Sequence, residues 1–162
     1  MLATITTLKE NFIDMINSNK YDFFVTITFD EFLNQHDRLK AINQLIRFIN
    51  KKLYGRRFVE HKKFLEGFAF EEHKANDLHY HYHILFKLEL KISLHDFTKI
   101  VHNELYKVKK HKLSHKNAFN KNCINIQAIN PETQLRLINY CSKSIYKLSD
   151  TDNILPISVY GL

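Results

Sequence analysis

Hydrophobic and polar positions along the chain alternate between two periods, and the changes of period divide it into elements. FFVTITF, residues 23–29, is rich in β-branched and aromatic side chains and predicts a strand. In it Phe23, Val25, Ile27 and Phe29 would face a core, with Thr26 and Thr28 on the opposite, more polar face. From Asp37 the apolar residues Leu39, Ile42, Ile46, Ile49 and Leu53 follow helical spacing, and Gly55 stands where a helix stop is expected. A strand over about 64–72 and the polar turn around Ala75-Asn76-Asp77 lead into DLHYHYHILF, residues 77–86. There His79, His81 and His83 recur at the strand period, so one face would carry the imidazoles and the other Tyr80, Tyr82, Ile84 and Phe86. Leu94, Phe97, Val101 and Leu105 give the next helix its buried stripe, behind a capping box from Ser93 to Asp96. Another strand covers 123–129, and Asn130-Pro131 starts a last helix with Asn as cap and Pro in the first turn. Near the N-terminus the Thr7…Glu10 capping box predicts a short helix through about Asn17. The order α-β-α-β-β-α-β-α implies one α+β domain over 1–162, with an antiparallel sheet in a ferredoxin-like order and helices on one face.

Composition narrows the class. A chain of 162 residues suits one domain with a proper core, and the many Phe and Tyr exclude a disordered polyampholyte. A net charge of +7 favours a polyanionic partner. Cys123 and Cys141 are far apart, which argues against a disulfide framework or a zinc ribbon and fits a reducing, cytoplasmic setting. Lys9, Glu10 and Asp14 interrupt the first apolar stretch, so neither a signal peptide nor a membrane span is expected.

Candidate chemistry sits on two elements. Histidines at i and i+2 of a strand are roughly 6.5–7 Å apart at Cα, close enough for both rings to reach one metal ion. Glu71, Glu72 and His73 lie just upstream as possible further ligands. If Phe68 and Phe70 face the helices, Glu71 falls on the histidine face and is preferred. On the last helix, residues 131–148, Ile138, Cys141, Ile145 and Leu148 form an apolar stripe. Arg136, Tyr140, Lys143 and Lys147 form a second stripe, basic apart from its tyrosine. A phenol with a pKa of about 10 is a weak nucleophile at neutral pH unless assisted. A cation one turn away stabilises both a phenolate and a phosphorane-like transition state. Two lysine- and arginine-rich stretches could track a phosphate backbone. One comprises Lys107, Lys109, Lys110, Lys112, Lys116 and Lys121; the other comprises Lys51, Lys52, Arg56, Arg57, Lys62 and Lys63.

Three blocks in this order resemble the HUH endonucleases, in the single-tyrosine replication-initiator branch. They are Phe24-Val25-Thr26-Ile27-Thr28-Phe29, His81-Tyr82-His83 followed by Ile84-Leu85-Phe86, and Tyr140-Cys141-Ser142-Lys143 with Tyr146-Lys147 beyond. The resemblance implies a five-stranded antiparallel sheet with the histidine pair on a central strand and a Mn²⁺ or Mg²⁺ site completed by a polar residue upstream. His79 permits a second register, His79/His81, but the hydrophobic run directly after His83 favours His81/His83. Ser144 stands where two-tyrosine relatives carry a second tyrosine, so one nucleophile is expected. The implied activity is nicking and rejoining of single-stranded DNA at a replication origin through a 5′-phosphotyrosine link, with Tyr140 and Lys143 catalytic. His81, His83 and Glu71 would hold the metal, and Arg136, Lys147, Lys109, Lys110 and Lys112 would contact DNA. No Gly-x-x-x-x-Gly-Lys-Ser/Thr motif occurs. A host helicase and polymerase are therefore expected partners, or this is the nuclease domain of something longer. The rival readings are a single-tyrosine HUH transposase, a non-catalytic nucleic-acid-binding module on a ferredoxin-like sheet, and a metal-binding or metal-storage protein.

Overall fold

The computed structural model describes residues 2–29, 33–73, 80–109, 116–144 and 154–157. The elements in chain order are α1 (Leu2–Asn17), β1 (Phe23–Phe29), α2 (Gln35–Tyr54), β2 (Glu66–His73), β3 (Tyr80–Lys87), α3 (Leu94–Leu105), β4 (Phe119–Ala128), α4 (Pro131–Cys141), a 3₁₀ turn (Ser142–Ser144) and β5 (Ile154–Ile157). The strands form one sheet in the order β4-β1-β3-β2-β5, and every neighbouring pair is antiparallel. From β1 to β4 this is the ferredoxin-like β-α-β-β-α-β arrangement, with the histidine strand at its centre. Among the described residues, no helix is long and apolar enough to cross a membrane.

Local chemistry sets the helix ends. Asn34 caps α2 by accepting from the Asp37 N–H at 2.9 Å, and Gly55, at φ 85°, closes it by donating to the Lys51 carbonyl. Ser93 and Asn130 cap α3 and α4 in the same way, as their spacing predicts. At α1 the expected capping box is overridden: the helix already runs from Leu2, so Thr7 lies inside it. At the other end α4 stops at Cys141, well short of residue 148, and tightens into the 3₁₀ turn. There the buried Ser142 hydroxyl donates back to the Ile138 carbonyl at 2.9 Å, which competes with continued α-helix. β5 has no counterpart in the residue pattern; its Ile-Leu-Pro-Ile sequence pairs with the edge of β2.

Helices cover both faces of the sheet, not one. Phe23, Val25, Ile27, Tyr82, Ile84 and Phe86 point toward α2 and α3 and form the larger core. On the opposite face Phe24, Phe70 and Leu85 meet Ile16 of α1 and Ile138 and Cys141 of α4. Phe24 and Phe70 are the reason: each adds an apolar position to the face that also carries the polar threonines and histidines.

Among the described residues, Gly67 is the glycine that the sheet itself demands. At φ 146° its position is left-handed backbone, and a Cβ there would lie 1.8 Å from the Leu85 carbonyl oxygen on the neighbouring strand. Gly67→Ala is therefore expected to cost on the order of 3 kcal/mol or more, read as a lower urea midpoint with unchanged slope. An unchanged midpoint would mean that β2 and β3 do not approach this closely.

Candidate active site on the histidine face

Register places the polar side chains. Thr26 is paired across the ladder with His83, and Thr28 with His81. Cross-strand partners put their side chains on the same face, so each hydroxyl reaches the ring opposite it. Thr26 Oγ1 lies 3.0 Å from His83 Nδ1 and Thr28 Oγ1 lies 2.9 Å from His81 Nδ1. Nδ1 is thus engaged in both rings, which leaves Nε2 as the nitrogen that would meet a metal.

On the other side of β3, Glu72 is paired with His81 and Phe70 with His83. Glu72 is therefore the carboxylate on the histidine face, with Oε2 2.7 Å from His83 Nε2. Glu71, the preferred ligand from sequence, is on the opposite face. It is paired across the ladder with Tyr82, accepts from the Tyr82 hydroxyl at 2.7 Å and forms an ion pair with Arg38 of α2. The expectation for Glu71 rests on helices covering one face only, with Phe68 and Phe70 toward them and the histidines on the other face. Phe70 instead joins the core against α1 and α4, and the alternation of the strand moves both glutamates with it. His79 and the alternative register that uses it lie outside the described residues, as does the side chain of His73.

α4 brings the tyrosine to this face. The Tyr140 ring stands edge-on to the His83 ring with centroids 5.2 Å apart, and Tyr140 remains 44% exposed. Because the chain tightens after Cys141, Lys143 comes round onto the same side. Its Nζ sits 3.8 Å from the Tyr140 ring centroid and 2.8 Å from Glu72 Oε1. Tyr140, Lys143, Glu72 and His83 are thus linked by direct contacts, with His81 on the same face opposite Glu72.

Gln134, on which sequence reasoning placed no weight, fixes the helix that carries Tyr140. Its Oε1 accepts from the Tyr21 N–H at 3.1 Å, and its Nε2 donates to the Asn19 carbonyl at 2.8 Å and to Asn17 Oδ1 at 3.1 Å. Those bonds tie α4 to the link between α1 and β1. No sequence signal marks Gln134, since one polar residue on an amphipathic helix reads as surface.

The electrostatics follow from this packing. Burial disfavours the Glu72 carboxylate, but hydrogen bonds from Lys143 and His83 outweigh it and hold its pKa below the ordinary 4.5. Burial lowers the His83 pKa below 6.5 in spite of Glu72, so the ring is neutral at pH 7. Burial also opposes the Lys143 charge, but its bonds to Glu72 and Tyr140 win and raise its pKa above 10.5. Burial pushes the neighbouring Cys141 thiol up to about 12, which keeps it inert.

Each shift has a sign in stability. Below about pH 6.5 the unfolded chain takes up a proton at His83 that the native chain resists, so stability falls as pH drops. The Glu72 contribution is full above 4.5 and is lost as pH falls through its lowered native value. The Lys143 contribution is full below 10.5 and is lost as pH rises through its raised value. Urea midpoints measured without divalent metal should therefore plateau between about pH 7 and 10. His83→Gln should remove part of the decline that starts near 6.5; identical profiles for the two proteins would contradict this electrostatic picture.

Two imidazoles and a carboxylate on one sheet face suit Mn²⁺ and, less well, Mg²⁺ by donor type. In the side-chain positions observed they form the hydrogen-bonded chain His83–Glu72–Lys143. Among the described residues, no three His, Cys, Asp or Glu side chains are gathered in a metal-holding group. The donor chemistry fits; occupation would require Glu72 to exchange its hydrogen bonds for a metal.

Of the expected DNA contacts, Arg136 is exposed one turn before Tyr140, on the same stripe. Lys109 is exposed in the α3–β4 connection, where its ammonium donates to Asn117 Oδ1 at 2.9 Å. Lys109 is bridged to Asn117, two residues before Phe119, which pairs with Phe29, and so lies toward the end of the sheet where Thr28 and His81 stand. Lys110, Lys112 and Lys147 lie outside the described residues. The basic stretch around Gly55 precedes β2 at its Glu66 end, opposite the histidine rung. It is not part of this site.

No protein-family model, curated protein or solved structure significantly matches the chain.

Proposed function

We propose that this protein is a single-tyrosine HUH-type endonuclease that nicks and rejoins single-stranded DNA at a replication origin. The observation that carries the reading is the convergence of Tyr140, Lys143, His81, His83 and Glu72 from three separate parts of the chain on one face of a ferredoxin-like sheet. A tyrosine that stays 44% exposed beside an ammonium and an imidazole suits attack on a phosphodiester. A nucleic-acid-binding module on the same sheet would not require a carboxylate bonded to both the histidine and the lysine.

In the proposed reaction Tyr140 Oη attacks phosphorus in line with the leaving 3′-oxygen. The new Oη–P bond forms as the P–O3′ bond breaks, the phenol proton is lost and the 3′-oxygen takes one up. The products are a 5′-phosphotyrosine and a free 3′-OH. Lys143, already against the Tyr140 ring, neutralises charge that develops between the phenol oxygen and the phosphate. Thr26 and Thr28 fix the rotation of the two imidazoles, and Glu72 and His83 would hold a divalent cation together with His81. When bound, that cation supplies Lewis-acid polarisation of a non-bridging phosphate oxygen. Rejoining reverses the same bonds and needs no ATP. Arg136 and Lys109, both exposed, would contact the DNA backbone.

The test is a denaturing gel of the protein with pooled single-stranded oligonucleotides and Mn²⁺, each labelled at the 5′ or the 3′ end. The proposal predicts a heat-stable, metal-dependent adduct that carries the 3′ label. Tight, salt-sensitive binding to a pool containing the cognate site, without any adduct, would favour the binding module instead.

A further inference from the structure

Behind the histidine rung lies a buried polar cluster that the proposed reaction does not use. Arg38, in the first turn of α2, is only 5% exposed. Its Nε donates to Glu71 Oε1 at 2.8 Å, a second guanidinium nitrogen bonds the same oxygen, and a third donates to the Leu33 carbonyl at 2.7 Å. Tyr82 donates to Glu71 Oε2 at 2.7 Å, and the guanidinium carbon stacks 3.4 Å from the centre of the Tyr80 ring. One arginine therefore grips β2 through Glu71 and β3 through Tyr80 and, by way of Glu71, Tyr82.

We infer that Arg38, Glu71 and Tyr82 form a clamp that positions His81, His83 and Glu72 for metal binding, an inference that rests on the metal reading above. Three features carry it. Buried ion pairs are poor stabilisers compared with apolar side chains of similar volume, so packing alone does not account for this one. The clamped rung, Glu71 opposite Tyr82, lies between the two rungs that carry the site, Glu72 opposite His81 and Phe70 opposite His83. Alternation also makes each clamp residue the chain neighbour of site residues: Tyr82 lies between the two histidines, and Glu71 precedes Glu72. The clamp stands at the end of both strands, since β2 ends at His73 and β3 begins at Tyr80. The last rungs of a strand pair open most readily, and a ligand set placed there needs a support from behind.

The test compares wild type with Arg38→Met/Glu71→Met/Tyr82→Phe, in which the clamp becomes apolar, and with Tyr82→Phe, which removes one hydroxyl and keeps the volume. Histidine-labelled, metal-free protein is examined by nitrogen NMR, and Mn²⁺ affinity by calorimetry. In wild type the His81 and His83 rings should each show one tautomer. In the triple variant their shifts should move toward tautomer averages while the thermal transition is kept, and Mn²⁺ affinity should fall about 10-fold or more. Tyr82→Phe should move both readouts in the same direction by less, and it decides the question if the triple variant does not fold. Unchanged ring shifts and unchanged Mn²⁺ affinity in a folded variant would overturn the clamp. A wild type that binds no Mn²⁺ would instead sink the metal reading, while the ring shifts would still judge the clamp.

Discussion

Tyr140→Phe should abolish the covalent protein–DNA adduct, a loss of at least ~10³-fold in initial rate, while single-stranded DNA binding changes little. The substitution removes only the phenol oxygen. The edge-on contact of the ring with His83 and the Lys143 ammonium above its face are both kept. Tyr140 is 44% exposed and its hydroxyl bonds to the part-exposed Lys143 rather than into the core, so the variant should unfold at nearly the same urea concentration as wild type. A stable, DNA-binding, adduct-free variant would separate chemistry from folding in one comparison. Full adduct formation by Tyr140→Phe would move the nucleophile elsewhere, with Tyr146 the next tyrosine along the chain.

The second large effect belongs to Glu72. Glu72→Ala removes the hydrogen-bond partner of His83 Nε2 and the anchor of Lys143 together. It also removes the only carboxylate that the sheet register places beside the histidines among the described residues. Metal-supported adduct formation should fall by at least ~10²-fold, with a higher Mn²⁺ requirement for what remains. Glu72→Asp should recover part of the loss, because a carboxylate is kept on the same face. Glu71→Gln, which leaves that face untouched and weakens only the Arg38 clamp, should lose about tenfold. These rates are checked at saturating DNA over a series of Mn²⁺ concentrations. The reverse ranking, Glu71 indispensable and Glu72 dispensable in folded protein, would contradict the geometry.

The contrast between those two glutamates shows where the sequence was readable and where it was not. The alternation of Tyr82, Ile84 and Phe86 against His81 and His83 is strong on its own strand, and Thr26 and Thr28 appear on the polar face of β1 as their spacing predicts. β2 carries Phe68, Phe70 and a pair of adjacent carboxylates, and nothing within it says which layer Phe70 joins. That depends on whether α1 and α4 cover the second face, a tertiary fact. Helix caps at Ser93 and Asn130 were legible because one side chain satisfies one local N–H. The end of α4 was not, because Ser142 looks like an ordinary helix residue until its burial turns its hydroxyl back onto Ile138. Tyr140 and Lys143 could be paired from helical spacing, but their contact depends on the 3₁₀ turn. β5 and the Gln134 clasp were illegible for the same reason: each is defined by partners remote in the chain.

Tandem mass spectrometry of the adduct shows which residue supplies the oxygen of the protein–DNA bond. After nuclease digestion and cleavage at Lys and Arg, Tyr140 lies in the peptide 137–143, where it is the only tyrosine. A nucleotide mass is expected on that tyrosine, formed only when divalent metal was present, if Tyr140 is the nucleophile. A nucleotide on any other residue, or an adduct equally abundant in metal-free reactions, would contradict the proposed reaction.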